Sequence, residues 1–237
     1  MTVNPVLEQI RGGLIVSCQA LESDPMFGNG IMAKMATAAK DGGAIGIRAN
    51  GYDDIKSIKE ATQLPVIGIV KRSYEGSPVY ITPTLREVEE VIKGGAEILA
   101  LDATKNLRPS GILSGDFIQT VKKSYPEMIL MADVSTFDEG RMAAEAGADI
   151  VATTMAGYTE YSVHQNGPNF KLISRMVREL SVPVIAEGKI RNPADAVKCF
   201  ELGTFAVVVG AAITKPQEIT RTFVEEIKAH PLLLAGE

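Results

Sequence analysis

The stretch PVIAEGKIRNPADAVKCFELGTFAVVVG, residues 183–210, contains one complete unit of the predicted fold. A short apolar run ends at Glu187, an amphipathic segment begins with Pro193 after an Asn192 cap, and a second apolar run follows. Strand, helix and strand in this order are typical of a βαβ unit, in which the two strands are parallel. The stretch therefore predicts a parallel sheet covered by helices.

The same unit recurs along the whole chain. Most of the apolar runs are apolar on both faces, as strands buried under helices should be. The segments between them have helical periodicity and commonly end at glycine, and Thr84 with Glu87 three residues later matches a capping box. The predicted strands are residues 14–19, 44–49, 65–71, 97–103, 128–134, 149–154, 183–188 and 205–210.

Eight βα units in 237 residues favour an α/β fold, a single-domain (β/α)8 TIM barrel that comprises residues 1–237. A doubly wound open sheet is the alternative. It would usually place a phosphate-binding glycine fingerprint after the first strand, where this chain has CQALESDPMFGNG. The N-terminal segment NPVLEQIRGG predicts a short helix that closes the barrel floor.

Composition and charge exclude several classes of function. The net charge of −5 does not favour nucleic acid or an anionic membrane as a partner. Cys18 and Cys199 have neither metal nor redox spacing, and no His, Cys and carboxylate cluster has the spacing of a metal site. No signal peptide or membrane-spanning run is recognisable. We therefore expect a cytoplasmic protein with no metal.

Polar residues end most of the apolar runs. In a barrel, the C-terminal ends of the strands form one mouth, where active sites lie. Each polar residue alone could be an ordinary first loop residue, and the sequence does not fix which way each side chain points. As a set, they predict a site that binds a polyhydroxylated substrate and moves protons. They are Gln19, Arg48, Lys71, Asp102, Asp133, Thr153, Thr154, Glu187 and Gly210. His164, in the loop after the sixth strand, is a weaker candidate.

The last two βα loops predict a phosphate site. Gly188 directly follows the seventh strand, and Gly210 with Ala211 follows the eighth. Small residues let backbone N–H groups approach an anion, and the N-terminus of a following helix favours negative charge. Lys215 could add a cation. The alternative is that Gly210 only turns the chain.

Six segments carry a resemblance to a known family: VSCQAL, GGAIGIRANG, LPVIGIVKRSY, VYITPTLREV, LALDAT and VIAEGKIRNP. They resemble the N-acylglucosamine-6-phosphate 2-epimerases, over nearly the whole chain. The resemblance implies a barrel of the ribulose-phosphate-binding type. It also implies an isomerase that interconverts N-acetylmannosamine 6-phosphate and N-acetylglucosamine 6-phosphate in sialic acid breakdown in the bacterial cytoplasm. No cofactor is implied, and a homodimer is expected in which the C-terminal helix EITRTFVEEIKAH takes part.

The resemblance also suggests roles for the strand-end residues. Lys71 is expected to move the C2 proton, and Glu187 to move protons at the ring and anomeric oxygens. Substrate-binding residues would be Gln19, Arg48 and Asp133, and phosphate-binding residues Gly188, Gly210, Ala211 and Lys215. The family often has arginine where this chain has Lys215, which supplies charge without a bidentate fork. Two alternatives remain, a Schiff-base lyase or aldolase with Lys71 as nucleophile, and a non-catalytic sugar-phosphate-binding barrel.

Overall fold

The computed structural model describes residues 4–28 and 30–230, and in it eight parallel strands form a closed barrel in sequence order. Each strand pairs with the next along the chain, and the eighth pairs with the first. This confirms the (β/α)8 barrel and rules out the doubly wound sheet. The strands are β1 (Leu14–Cys18), β2 (Gly46–Asn50), β3 (Val66–Ile69), β4 (Ile98–Asp102), β5 (Ile129–Asp133), β6 (Ile150–Ala152), β7 (Val184–Glu187) and β8 (Ala206–Val209).

Helices follow the strands on the outside of the barrel. The Thr84 capping box with Glu87 and the Asn192 cap before Pro193 both form as predicted. Within residues 4–28 and 30–230, no helix is long and apolar enough to cross a membrane. The helices are α1 (Pro5–Ile10), α2 (Ile31–Asp41), α3 (Tyr52–Thr62), α4 (Leu85–Gly94), α5 (Ser114–Ser124), α6 (Phe137–Glu145), α7 (Phe170–Glu179), α8 (Pro193–Glu201), α9 (Ala211–Thr214) and α10 (Pro216–Lys228).

Alternate residues of each strand point into the barrel. The lower interior is aliphatic and includes Ile15, Ile67, Ile98, Ile129, Ile150 and Ile185. The intervening residues pack against the helices, in a second apolar layer that contains Ile47, Leu99 and Leu130. The strand-end positions that continue the inward phase are Gln19, Arg48, Lys71, Asp102, Asp133, Thr154, Glu187 and Gly210.

Helix α1 precedes β1, and its residue Ile10 is buried among the interior aliphatic residues, beside Ile15. The placement of Ile10 is compatible with a helix that closes the floor, which stays a prediction, as does the extent of the domain over residues 1–237.

The segment after β3 forms a small hairpin that was not predicted from the sequence. Lys71 pairs with Ile81 and Tyr74 with Ser77, both in antiparallel bridges. Residues 71–81, called here the β3 hairpin, therefore leave the end of β3 and return beside Lys71, at the cavity wall, before α4 begins.

Candidate active site

A cavity of about 380 Å³ opens at the C-terminal ends of the strands. Its volume lies in the range of ordinary small-molecule sites. The structure brings most of the predicted site residues together on its wall, while Asp133 lies beneath the wall. The predicted residues that line the cavity are Gln19, Arg48, Lys71, Thr154, Glu187, Gly188, Gly210, Ala211 and Lys215.

Arg48 is the centre of a buried ionic cluster. Its Nη1 and Nη2 donate to the two oxygens of Asp133, at 3.0 and 2.5 Å, and Nη1 also donates to Glu187 Oε2 at 2.6 Å. Thr154 Oγ1 lies 2.6 Å from Asp133 Oδ1 and 3.2 Å from Glu187 Oε2. Arg48 is 1% exposed and Asp133 fully buried. This geometry favours a role for Asp133 in holding Arg48 over direct contact with a ligand.

Glu187 differs from Asp133 in reaching the cavity. Its side chain is 12% exposed, and only its Oε2 atom is held by Arg48 and Thr154. Burial raises the pKa of Glu187 to about 7, Arg48 opposes this shift, and the neighbouring Asp133 charge adds to it. Glu187 can therefore both give and accept a proton near neutral pH.

The surroundings of Lys71 shift its pKa in the opposite direction. Burial lowers the pKa of Lys71 to about 8, and the positive charges of Arg48 and Lys215 contribute, whereas Glu187 opposes the shift. Its backbone N–H donates to Asn50 Oδ1 at 2.7 Å, which fixes the chain where the side chain enters the cavity. A neutral amine, the form needed for a base or a nucleophile, is thus accessible near neutral pH.

Gln19 places an amide at the edge of the same cavity. Its Nε2 donates to Ser17 Oγ at 2.7 Å, and its buried Oε1 has no hydrogen-bond partner among residues 4–28 and 30–230. An unpaired buried carbonyl oxygen is costly unless a ligand pairs with it. Gln19 is therefore available to a hydroxyl or N–H group of a substrate.

The two predicted phosphate loops meet on one side of the cavity. Gly188 has a φ of +103°, which favours glycine, and an added Cβ would lie 3.4 Å from the Thr154 carbonyl oxygen. Gly210 precedes α9, and the first N–H groups of a helix have no partner within it. Lys215 Nζ also faces this side, 3.6 Å from carboxylate oxygens of both Asp24 and Glu218.

Some residues that the sequence analysis considered lie elsewhere. Thr153 points out of the barrel interior, where its Oγ1 donates to the Glu187 carbonyl oxygen at 2.9 Å. Asp102 is fully buried, accepts hydrogen bonds from Thr104 and does not line the cavity. His164 lies 3.0 Å from the Thr159 carbonyl oxygen and is likewise absent from the cavity wall.

Several other residues that line the cavity were not predicted from the sequence. Tyr80, Tyr158 and Arg191 line the cavity from three different loops. The segments VYITPTLREV and VIAEGKIRNP contain Tyr80 and Arg191, but no role was predicted for either residue. Their positions depend on loop conformation, which strand periodicity does not report. Over the described ranges 4–28 and 30–230, no group of three or more His, Cys, Asp or Glu side chains is placed to hold a metal ion.

Comparison with known proteins identifies the family. Residues 32–229 match the NanE family, described as "Putative N-acetylmannosamine-6-phosphate epimerase". The chain belongs to the NanE family. Relatives with the corresponding 2-epimerase designation include those of Caldanaerobacter subterraneus, 53% identical over 94% of both chains, and Clostridioides difficile, 50% identical over 94% of this chain and 99% of the relative. The family predicted from the six segments is confirmed.

Solved structures agree with this membership of the NanE family. The N-acetylmannosamine-6-phosphate 2-epimerase from Clostridium perfringens is 45% identical, with a TM-score of 0.90 over 95% of this chain and 98% of that one. Thiamine phosphate pyrophosphorylase from Pyrococcus furiosus is 18% identical, with a TM-score of 0.60 over 94% of this chain and 98% of that one. The second likeness shows the barrel fold alone.

Proposed function

We propose that this chain is an isomerase that interconverts N-acetylmannosamine 6-phosphate and N-acetylglucosamine 6-phosphate, in amino-sugar and sialic acid catabolism. The observation that carries the proposal is the presence of both Lys71 and Glu187 on the wall of one cavity, with pKa values of about 8 and about 7. A base and a proton carrier poised near neutral pH are what inversion at a carbon beside a carbonyl group requires.

The first step is opening of the sugar ring, because the C2 proton becomes acidic only beside the free aldehyde. Glu187 takes the proton of the anomeric hydroxyl group and returns one to the ring oxygen as the C1–O5 bond breaks. Glu187 lines the cavity, and because Arg48 and Thr154 hold its Oε2 atom, we assign the transfer to Oε1. The same exchange in reverse closes the ring of the product.

The second step is proton transfer at C2. The neutral amine of Lys71 removes the proton, and the electrons of the C–H bond move into an enolate on O1. The positive charge of Arg48 stabilises this oxygen anion, and the amide of Gln19 holds a neighbouring polar group of the substrate. A proton then returns to the opposite face of C2 and gives the epimer; it comes either from the Lys71 ammonium group after the enolate turns in the cavity, or from a second acid, in which case Lys71 releases its proton to solvent.

The phosphate group holds the sugar in place during both steps. It would lie against the backbone of Gly188, Gly210 and Ala211, with Lys215 supplying positive charge. The Asp24 and Glu218 carboxylates near Lys215 keep its ammonium group at this side of the cavity. The carboxylate of Glu187 points toward the barrel axis and away from the phosphate, as like charges require.

A proton NMR time course in D2O with N-acetylmannosamine 6-phosphate tests the function. We expect N-acetylglucosamine 6-phosphate to appear with deuterium at C2. Binding without conversion would instead support a non-catalytic barrel. Borohydride trapping of substrate on Lys71 would support the Schiff-base alternative, since a lowered amine pKa also suits a nucleophile.

We also propose that the protein is a cytoplasmic homodimer and that α10 forms part of the interface. None of the residues of α10 is buried, and Phe223, Val224 and Ile227 expose apolar side chains, Phe223 to 67%. Phe223 and Ile227 are four residues apart and so share a helix face. Analytical ultracentrifugation should give a dimer for the wild type, and Phe223→Ser should weaken it.

A further inference from the structure

The β3 hairpin forms the wall of the cavity next to the proposed base. Lys71 begins the hairpin and Ile81 pairs with it in an antiparallel bridge, so the two side chains are neighbours. Tyr80 and Ile81 both line the cavity, and both pack against the aliphatic residues of the barrel interior. An apolar surface is thus fixed beside the amine of Lys71.

The hairpin is held rigidly from outside the cavity. Glu87, fully buried in the first turn of α4, accepts hydrogen bonds from the Arg72 guanidinium, from Tyr74 Oη at 3.0 Å and from the Thr84 backbone at 3.0 Å. The backbone N–H of Arg72 also donates to the Tyr80 carbonyl oxygen at 3.0 Å. The wall formed by Tyr80 therefore has a defined position relative to Lys71.

The hydrogen-bonding capacity of the Tyr80 hydroxyl group is weakly satisfied by the protein itself. Among the described residues, its one hydrogen-bond contact is the thioether sulfur of Met155, at 3.9 Å. A thioether is a weak acceptor, so a better acceptor on a ligand would displace it. Burial raises the pKa of Tyr80, with the charges of Asp102 and Asp133 adding to it, and the phenol therefore keeps its proton.

We propose that Tyr80 recognises the acyl group on the C2 nitrogen and limits its length. The inference rests on the proposed function: a base that removes the C2 proton must face the carbon that bears the acylamino group. The acyl group then lies against the residues flanking Lys71. Its methyl end contacts the rings and methyl groups of Tyr80 and Ile81, and its carbonyl oxygen accepts from Tyr80 Oη. The substrate class is short-chain N-acylhexosamine 6-phosphates.

Other apolar cavity residues are less suited to this role. Ile190 belongs to the loop that carries Gly188, on the phosphate side. Val208 is almost fully buried in the interior of the barrel, and Leu21 is an exposed residue after Gln19. The bridge places Ile81 directly beside Lys71, and Tyr80, the preceding residue of the same hairpin strand, lines the same cavity.

The test measures kcat/KM for the N-acetyl, N-propanoyl and N-butanoyl mannosamine 6-phosphates. One methylene group in an apolar pocket changes kcat/KM by roughly 10- to 200-fold. We expect the wild type to prefer the N-acetyl compound, and Tyr80→Ala to reduce the N-acetyl to N-butanoyl ratio by at least about 10-fold. Tyr80→Phe should lose roughly 2- to 10-fold on every compound with the ratio unchanged.

Tyr52→Phe is the matched control, because it removes a hydroxyl group from an exposed tyrosine of α3 that neither lines the cavity nor belongs to the hairpin. Its ratio should equal that of the wild type, and a ratio altered as much as in Tyr80→Ala would overturn the inference. Tyr80→Leu is measured beside Tyr80→Ala so that the ratio can be read even if the alanine variant unfolds.

Different results would refute the proposed function and the role of Tyr80. A wild type that converts none of the three compounds refutes the proposed function, and the inference with it. A wild type that converts the N-acetyl compound, with folded Tyr80→Ala and Tyr80→Leu variants that keep the wild-type ratio, refutes the role of Tyr80 alone.

Discussion

Replacement of Asp133 by asparagine tests whether the charge of Asp133 raises the pKa of Glu187 in the buried cluster. Asp133 and Glu187 share one guanidinium nitrogen of Arg48, at 3.0 and 2.6 Å, so their carboxylates repel each other at close range. At about 5 Å and an effective dielectric constant of about 20, two unit charges interact by about 3 kcal/mol, or about 2 pKa units. Asp133→Asn removes this repulsion and keeps the size of the side chain.

Asp133→Asn should lower the pKa of Glu187. The negative charge of Asp133 raises the pKa of Glu187, so its removal should lower that pKa from about 7 by up to about 2 units. Asp133 also raises the pKa of Lys71, so that pKa should fall as well. Glu187 would then be ionised at neutral pH, and the limb of the pH–rate profile that it governs should move to lower pH.

The carbon-13 chemical shift of the Glu187 carboxyl group gives a direct measurement. The signal is assigned by its loss in Glu187→Gln and is titrated in the wild type and in Asp133→Asn. Asp102→Asn is the matched control, because Asp102 is equally buried and pairs in register with Asp133, but its carboxylate bonds to Thr104 and makes no hydrogen bond or ion pair with Arg48. A folded Asp133→Asn protein in which the Glu187 pKa is unchanged or higher would refute the reasoning.

Thermal unfolding accompanies this titration, since loss of one partner of a buried ion pair costs about 3–5 kcal/mol. Glu187 remains beside Arg48 in Asp133→Asn and should compensate in part, so we expect a destabilisation at or below the lower end of that range.

Three further predictions concern turnover. Lys71→Ala should keep the fold and lose roughly 10²- to 10⁴-fold in kcat by the NMR assay, and a loss below about tenfold would exclude Lys71 as the C2 base. Glu187→Gln keeps shape and hydrogen bonding, so calorimetry should show nearly unchanged substrate affinity while turnover falls steeply; near-normal turnover would end its role as proton carrier. EDTA should leave the rate unchanged, and loss of activity that one divalent ion restores would contradict the expectation of a metal-free enzyme.

Strand periodicity predicted the barrel well because every strand is buried on both faces. The predicted run at residues 183–188 contains β7, and the alternation within it directs Glu187 inward, like Ile185. The same alternation directs the side chains of Arg48 and Lys71 into the mouth of the barrel. Once the barrel is closed, which residues converge follows from a two-residue period.

Contacts between distant segments could not be predicted in the same way. Arg48 and Asp133 are 85 residues apart, and their bidentate pairing depends on strand order and stagger around the barrel. The capping box at Thr84 was predicted from local spacing, but the Arg72 bond to Glu87 depends on how the β3 hairpin returns. Tyr80 was missed for the same reason, since its position follows from the hairpin and from no periodic pattern.

The strict inward and outward alternation has a consequence for insertions and deletions. Loss of one residue within β7 would turn Glu187 toward the helices and bring Ala186, now packed on the outer side, into the barrel. Loss of two residues would restore the phase and change only the height of Glu187 in the barrel. Length variation among functional relatives should therefore be confined to the loops and helix ends, and any change within a strand should come in steps of two.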